Sequence, residues 1–174
     1  MANFDKALEL VLKHEGTTFT QTPGDLGGAT KAGITIGTLN AYNGHNNSAD
    51  DVRALTMAQI KDVYLKMFWT PMGLQGLTDD KLAAICFDQA VLVGRSRFTK
   101  QLQNIVGVLS DGIMGPATIA ACNSKNTTNL ILDILAGQTQ YYIQLVQGNT
   151  SQLKFLRGWE NRVIGLYNYV FRVT

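Results

Sequence analysis

Two carboxylic acids, Glu15 and Asp25, are the only acidic residues within residues 14–35 of the sequence. Glu15 continues the apolar face formed by Leu8 and Val11, and it lies in the last turn of a predicted helix, where the macrodipole is negative. Partial burial and this dipole both favour the neutral, protonated carboxyl group. Such a group beside a polar groove can protonate the leaving oxygen of a glycoside, while Asp25 could stabilise positive charge on the sugar or activate water. The alternative is that Glu15 is a solvated residue at the helix boundary.

The elements that must position these acids are an amphipathic helix and a polar loop. Apolar residues at intervals of three and four predict a helix over residues 3–15, and Gly16 is placed to end it. Six glycines and one proline lie within residues 16–37, and helical periodicity is absent there, which predicts a loop with room for a short hairpin.

The rest of the chain is typical of a mostly α fold. The periodicity predicts helices over residues 56–69, 79–92, 95–106, 115–123, 128–147 and 157–171. Thr56 and Thr78 are candidate N-caps, and Pro116 suits the first turn of its helix. Strand-like alternation is almost absent.

The composition excludes several classes of protein. A chain of 174 residues can build one core, or two small subdomains that share one. A net charge of +2 without a basic cluster argues against a nucleic-acid partner. The sequence has no secretion signal and no apolar window long enough to span a bilayer, so we expect cytoplasmic synthesis and no membrane insertion. Cys86 and Cys122 have no metal-binding spacing and are interpreted as buried thiols, and His45 lacks a second ligand, so no metal or cofactor is expected.

Several motifs resemble the glycoside hydrolase family 108 muramidases, which occur among phage endolysins and bacterial secretion activator proteins. The family motif begins at the catalytic glutamate, and its matches here are Glu15, Gly16, Pro23, Asp25, Gly27, Gly28, Ala29, Thr30, Gly33, Ile34 and Thr35. The segments "VYLKMFW" and "LAAICFDQAVLVG" are similar to the helical middle of the family, and "KQLQNIVGVLSDGIMGPATIAA" and "FLRGWENRV" to its predicted peptidoglycan-binding region. These matches run in order from residue 4 to residue 163.

The resemblance implies a lysozyme-like, mostly α fold with a small loop or β-hairpin segment and a helical C-terminal subdomain. Residues 1–93 would form the catalytic part and residues 94–174 the peptidoglycan-binding part, with one shared core. The implied activity is cleavage of the β-1,4 bond between N-acetylmuramic acid and N-acetylglucosamine, with Glu15 as the general acid. By analogy Asp25 and Thr30 would handle water, and Thr35 is an alternative to Thr30 or a substrate contact.

The implied partner is bacterial peptidoglycan, and we expect the protein to act as a monomer without metal or cofactor. It would reach the cell wall in the periplasm after release by a holin or by a dedicated secretion route. The first route would serve host lysis, and the second would serve wall remodelling for secretion.

The sequence departs from the family pattern just after the glutamate. Thr17 and Thr18 replace a glycine and a tyrosine, and nine residues rather than eight separate Glu15 from Asp25. The extra residue supports one alternative, a peptidoglycan-binding module that has lost its activity. A second alternative, a stem-peptide endopeptidase, would need a Cys–His pair or a zinc site.

Other candidate residues have two interpretations each. Trp69 could stack on a sugar ring, although its helical spacing also suits core packing. Asp111 suits a turn, and a ligand role for it comes only from the resemblance. Trp159 and Arg162 lie three residues apart and could recognise a stem-peptide carboxylate or pack where the two parts of the chain meet.

Two further residues flank the predicted site. His14 precedes Glu15 and points about 100° away from it around the helix, where it would complement the macrodipole. Asp88 lies on a largely apolar helix and could brace the motif loop or line the cleft.

Overall fold

The computed structural model of the protein describes residues 2–21 and 28–172. Within them the fold is mostly α, with a small antiparallel sheet, as the sequence predicts. The chain is divided into two compact units, Met1–Arg95 and Ser96–Thr174. No helix among the described residues has both the length and the apolar character needed to cross a bilayer. The prediction that the two parts share one core stays a prediction.

The first helix, α1 (Phe4–Glu15), has the predicted bounds within one residue. The Asn3 side chain accepts the Lys6 N–H and caps its start, and Gly16 ends it with φ +71° while its N–H donates to the Leu12 carbonyl oxygen at 2.9 Å. A positive φ is accessible to glycine without steric cost. Glu15 is therefore the last residue of the helix.

The loop after α1 contains more strand than the sequence predicts. Three strands, β1 (Phe19–Gln21), β2 (Ala29–Lys31) and β3 (Ile34–Thr35), form an antiparallel sheet in the order β1-β2-β3. Strands of two or three residues are too short to show a period of two in sequence. The prediction of a short hairpin is confirmed, and a third strand is added to it.

The β2–β3 turn is a tight two-residue connection. Ala32 and Gly33 form it with φ +51° and +73°, the pattern of a type I′ turn. Ala32 is strained in this conformation because it carries a Cβ. The buried Tyr64 hydroxyl donates to the Ala32 carbonyl oxygen at 2.7 Å and holds the turn against the helices.

Two helices between residues 36 and 54 are not predicted from the sequence. They are α2 (Ile36–Asn43) and α3 (Ala49–Ala54). Both begin at a side-chain cap, Thr35 for α2 and Ser48 for α3. The Lys31 ammonium group donates to the carbonyl oxygens of Arg53 and Leu55 at 2.8 and 2.7 Å, so β2 is fastened to the negative end of α3.

The next helix, α4 (Met57–Tyr64), continues as a π-helical segment, Leu65–Trp69. Thr56 caps α4 as predicted and forms a capping box with Gln59. After a short 3₁₀ turn, Leu74–Gly76, helix α5 (Asp80–Val93) crosses the interior. Its N-cap is Asp79, whose carboxylate accepts the Leu82 N–H at 2.8 Å, so the prediction of Thr78 as the cap is wrong by one residue.

Helix α5 is the centre of the N-terminal unit. Every residue from 82 to 90 is buried, which a helix achieves only when neighbours cover all its sides. Phe87 contacts the rings of Phe4, Tyr64 and Trp69, with centroids 5.5 to 5.9 Å apart. This aromatic cluster packs α4 and α5 against α1, the helix that carries the predicted catalytic glutamate.

Four more helices follow along the described chain, α6 (Arg95–Val106), α7 (Pro116–Ser124), α8 (Thr127–Gly148) and α9 (Leu153–Phe171). All of their residues except Arg95 belong to the C-terminal unit. Pro116 lies at the start of α7 as predicted. Helix α9 begins four residues before the predicted start, directly after a 3₁₀ turn over Thr150–Gln152. Cys86 of α5 and Cys122 of α7 are both buried, as predicted.

Candidate active site

Glu15 lies at the C-terminal end of α1 with its side chain half-buried. Its carboxyl group faces the β2–β3 turn. A Cβ placed on Gly33 would come within 3.0 Å of both Glu15 Cγ and Glu15 Oε2, and within 2.6 Å of the Tyr64 hydroxyl oxygen. The carboxylate and the phenol therefore approach the same small volume, which is open only because residue 33 has no side chain. Gly33 belongs to the family motif, but no sequence pattern predicts this contact.

Three threonines form a row across the sheet. Thr30 is the direct pairing partner of Thr20 on β1 and of Thr35 on β3. Directly paired residues of antiparallel strands project to the same face, so the three hydroxyl groups line one side of the sheet. The structure thus brings together Thr30 and Thr35, the two alternatives for water handling.

The two threonines differ in what their hydroxyl groups already do. The Thr35 oxygen accepts the Thr38 N–H at 3.1 Å and lies 3.1 Å from the Thr38 hydroxyl, so it caps α2. Thr30 lies in the middle of β2 and caps no helix. A substrate contact by Thr35 stays a prediction, and it would compete with this capping bond. Asp25 lies outside the described residues.

Trp69 is part of the core. Its side chain is 3% exposed and packs edge-on against Phe4 and Phe87, with centroids 5.4 and 5.5 Å away. A sugar platform needs an exposed ring face, because stacking requires access to the π surface. The position of Trp69 therefore agrees with the core interpretation, and we do not assign it to the substrate.

His14 has a buried partner in the structure that no local sequence pattern predicts. The Asp88 carboxylate is fully buried on α5, and its Oδ1 lies 2.8 Å from His14 Nδ1. His14 directly precedes Glu15, and its side chain is 13% exposed. The predicted interaction with the helix dipole thus omits a carboxyl oxygen 2.8 Å away, which belongs to a residue 74 positions along the chain.

Asp111 organises a loop in the C-terminal unit. Its Oδ1 accepts the Ile113 N–H at 2.8 Å and the Gln103 side-chain amide at 2.7 Å. The buried Gln103 amide also donates to the Ile113 carbonyl oxygen and accepts the Gly112 N–H, at 3.0 and 2.9 Å. The predicted turn is therefore present, and a further ligand role for Asp111 stays a prediction.

The Asp111 contacts predict a pH dependence of stability. The Ile113 N–H and the Gln103 amide hold the pKa of the Asp111 carboxyl below its usual value. A lowered pKa in the folded state gives stability that is present above the unfolded pKa of about 3.9 and is lost as the pH falls through the folded value. We expect the thermal midpoint of the wild type to fall more steeply below about pH 4 than that of Asp111→Asn, which keeps an acceptor oxygen but does not titrate. Parallel curves for the two proteins would contradict this account.

Trp159 and Arg162 lie on α9. The Trp159 ring stacks on Tyr142 of α8, with centroids 4.8 Å apart and planes inclined by 15°. Arg162 is half-buried on the same helix. One face of the Trp159 indole is thus used for packing within the C-terminal unit, and a contact of either residue with a stem peptide stays a prediction.

Known proteins resemble the chain in both units. A family model described as Glycosyl hydrolase 108 matches residues 8–94, and one described as Predicted Peptidoglycan domain matches residues 97–164. A solved structure of SagA from Brucella abortus shares 31% sequence identity, with 95% of this chain and 92% of that chain covered and a TM-score of 0.83. No curated protein matches the chain.

Proposed function

The chain belongs to the glycosyl hydrolase 108 family, and from this premise we propose that it is a muramidase that uses Glu15 as its general acid. The resemblance stated from the sequence motifs is confirmed. The family makes the protein a glycoside hydrolase, and the match to a peptidoglycan domain identifies peptidoglycan as its partner. The finer assignment depends on the half-buried Glu15 carboxyl at the end of α1, facing the Gly33 turn.

The reaction that this geometry supports begins with proton transfer. Glu15 donates its proton to the oxygen of the β-1,4 bond, the bond from C1 of N-acetylmuramic acid to that oxygen breaks, and N-acetylglucosamine leaves as the alcohol. Positive charge develops at C1 and on the ring oxygen of the muramic acid residue. Water then adds at C1 and loses a proton to the Asp25 carboxylate, which creates a new reducing muramic end. The half-buried Glu15 side chain lies at the end of α1, where it faces the Gly33 turn.

We assign the handling of water to Asp25 and Thr30. Thr30 is preferred to Thr35 because the Thr35 oxygen already accepts the Thr38 N–H at the start of α2. Thr30 also lies on the face of the sheet that carries a row of hydroxyl groups, which can orient water by hydrogen bonding. Asp25 takes its role from its place in the family motif.

The proposed place of action is the cell wall. A muramidase made in the cytoplasm must be released to reach peptidoglycan, through a holin in host lysis or through a dedicated route in secretion. Both settings use the same reaction, and we propose that the protein acts on the wall after such release, as a monomer.

The two alternatives receive different support. The extra residue between Glu15 and Asp25 favours a binding module without activity. A cysteine endopeptidase is disfavoured because Cys86 and Cys122 are 0% and 1% exposed, and burial raises the pKa of the Cys122 thiol to about 11. A thiol in that environment is neither ionised nor accessible to a peptide.

Fragment analysis distinguishes these functions. Purified peptidoglycan is digested, the new reducing ends are converted to alcohols with borohydride, and the fragments are identified by mass spectrometry. We expect muramitol ends from the wild-type protein. Glucosaminitol ends would indicate a glucosaminidase, new amino groups without reducing ends a peptidase, and binding without fragments the inactive module.

A further inference from the structure

The only Asp or Glu side chain that is fully buried among the described residues is Asp88, in the middle of α5. A carboxylate in such a place is stable only when it is paired and hydrogen-bonded, because burial removes its hydration. The Asp88 Oδ2 accepts the side-chain amide of Gln89 at 3.3 Å, and Oδ1 faces His14 Nδ1 at 2.8 Å. A side chain of α1 is thus among the groups that contact this buried carboxylate.

That side chain belongs to the residue beside the predicted acid. His14 lies in the last turn of α1, one residue before Glu15 and two before the capping residue Gly16. Terminal turns of helices fray, because their last carbonyl groups lack partners within the helix. Any rotation of this turn that moved Glu15 away from the Gly33 turn would also pull the imidazole off the Asp88 carboxylate.

We propose that the His14–Asp88 pair is a positioning device that locks the last turn of α1 to α5 and so holds Glu15 in its catalytic place. The inference rests on the proposed function, since it assigns a role relative to the Glu15 general acid. It differs from the dipole interpretation of His14, in which any cation in the last turn would serve. Position matters because a displacement of about 1 Å at a reacting group can cost about 10²-fold in rate.

The chain offers variants that separate these roles. In His14→Asn the side-chain amide nitrogen occupies nearly the place of Nδ1 and can donate to Asp88, whereas His14→Phe keeps a ring without a donor. Lys13→Gln removes the neighbouring exposed cation of the same turn without touching Asp88, and so tests the dipole alone. The double variant His14→Phe/Asp88→Leu removes the pair without leaving a buried carboxylate unpaired.

Two measurements test the proposal, steady-state hydrolysis of soluble peptidoglycan and hydrogen exchange of the Gly16 amide, which donates to the Leu12 carbonyl oxygen. For His14→Phe and the double variant we expect kcat to fall about 10- to 100-fold with KM within about twofold, and faster exchange at Gly16. His14→Asn should recover kcat to within about threefold of the wild type, and Lys13→Gln should match the wild type in both measurements.

Other results would contradict a positioning role for the His14–Asp88 pair. Wild-type kcat or unchanged Gly16 exchange in His14→Phe and in the double variant would overturn it. Failure of His14→Asn to recover, together with a loss in Lys13→Gln, would assign the effect to the dipole instead. An inactive wild-type protein would refute the proposed function alone, because the exchange rate still decides whether the pair holds the helix end.

Discussion

Replacement of Glu15 by glutamine is expected to lower kcat on peptidoglycan by about 10³-fold with little change in KM, because general acid catalysis contributes about 10²- to 10⁴-fold. Glutamine has nearly the shape of glutamic acid and can donate a hydrogen bond, but it cannot transfer a proton to the leaving oxygen. The measurement is the release of reducing ends from soluble peptidoglycan under saturating and limiting substrate.

The matched control for this variant is Glu9→Gln. Glu9 lies on the same helix, is exposed, and carries the same chemical group. Its replacement should leave kcat and KM within about twofold of the wild type, since surface substitutions away from special features have small effects. Equal losses in the two variants would show that the charge of α1, rather than the Glu15 proton, supports activity.

Gly33→Ala is expected to produce the second largest effect. The added Cβ would lie 2.6 Å from the Tyr64 hydroxyl oxygen and 3.0 Å from Glu15 Oε2, distances that force the carboxylate, the phenol or the turn to move. We expect kcat to fall about 10²-fold, the cost of displacing a reacting group by about 1 Å. The free energy of unfolding should also fall by about 1–3 kcal/mol, because an alanine at positive φ is strained. Kinetics and thermal denaturation of the variant measure the two effects.

Gly44→Ala separates strain from contact. Gly44 has φ +72°, almost the same as the +73° of Gly33, but a Cβ there would meet no atom within 4 Å. This variant should lose stability to a similar extent and keep its kcat. Equal kcat losses at positions 33 and 44 would mean that the effect of Gly33→Ala is strain alone.

The sequence predicts the long helices well and the short elements poorly. Helix α1 is predicted correctly because its twelve residues include four apolar residues at helical spacing and a glycine follows them. Helices α2 and α3 have eight and six residues, so their periodicity is brief, although Ser48 and Asp51 form a capping box whose spacing was available in the sequence. Helix α9 follows a 3₁₀ turn directly and has no side-chain cap, so no capping signal in the sequence marks its first residue.

In the candidate site, too, features that depend on one helix are predicted, and contacts between distant segments are not. Glu15 is predicted because its burial follows from the helix that carries it. Its contact with Gly33 and the bond between His14 and Asp88 depend on the packing of segments far apart in sequence, which no local pattern encodes. Helical spacing likewise could not decide whether Trp69 packs in the core or contacts sugar, because both uses place an aromatic residue on the same helix face.

The most direct test of Glu15 as the general acid is a substrate that does not need one. A dinitrophenyl glycoside of N-acetylmuramic acid, extended by N-acetylglucosamine at its O4, has a leaving group that departs without protonation. Release of dinitrophenolate is followed in a single turnover for the wild type and Glu15→Gln. We predict that the rate ratio of wild type to variant, about 10³ on peptidoglycan, falls below about 10 on this glycoside. An equally large ratio on both substrates would contradict the assignment of Glu15 as the proton donor.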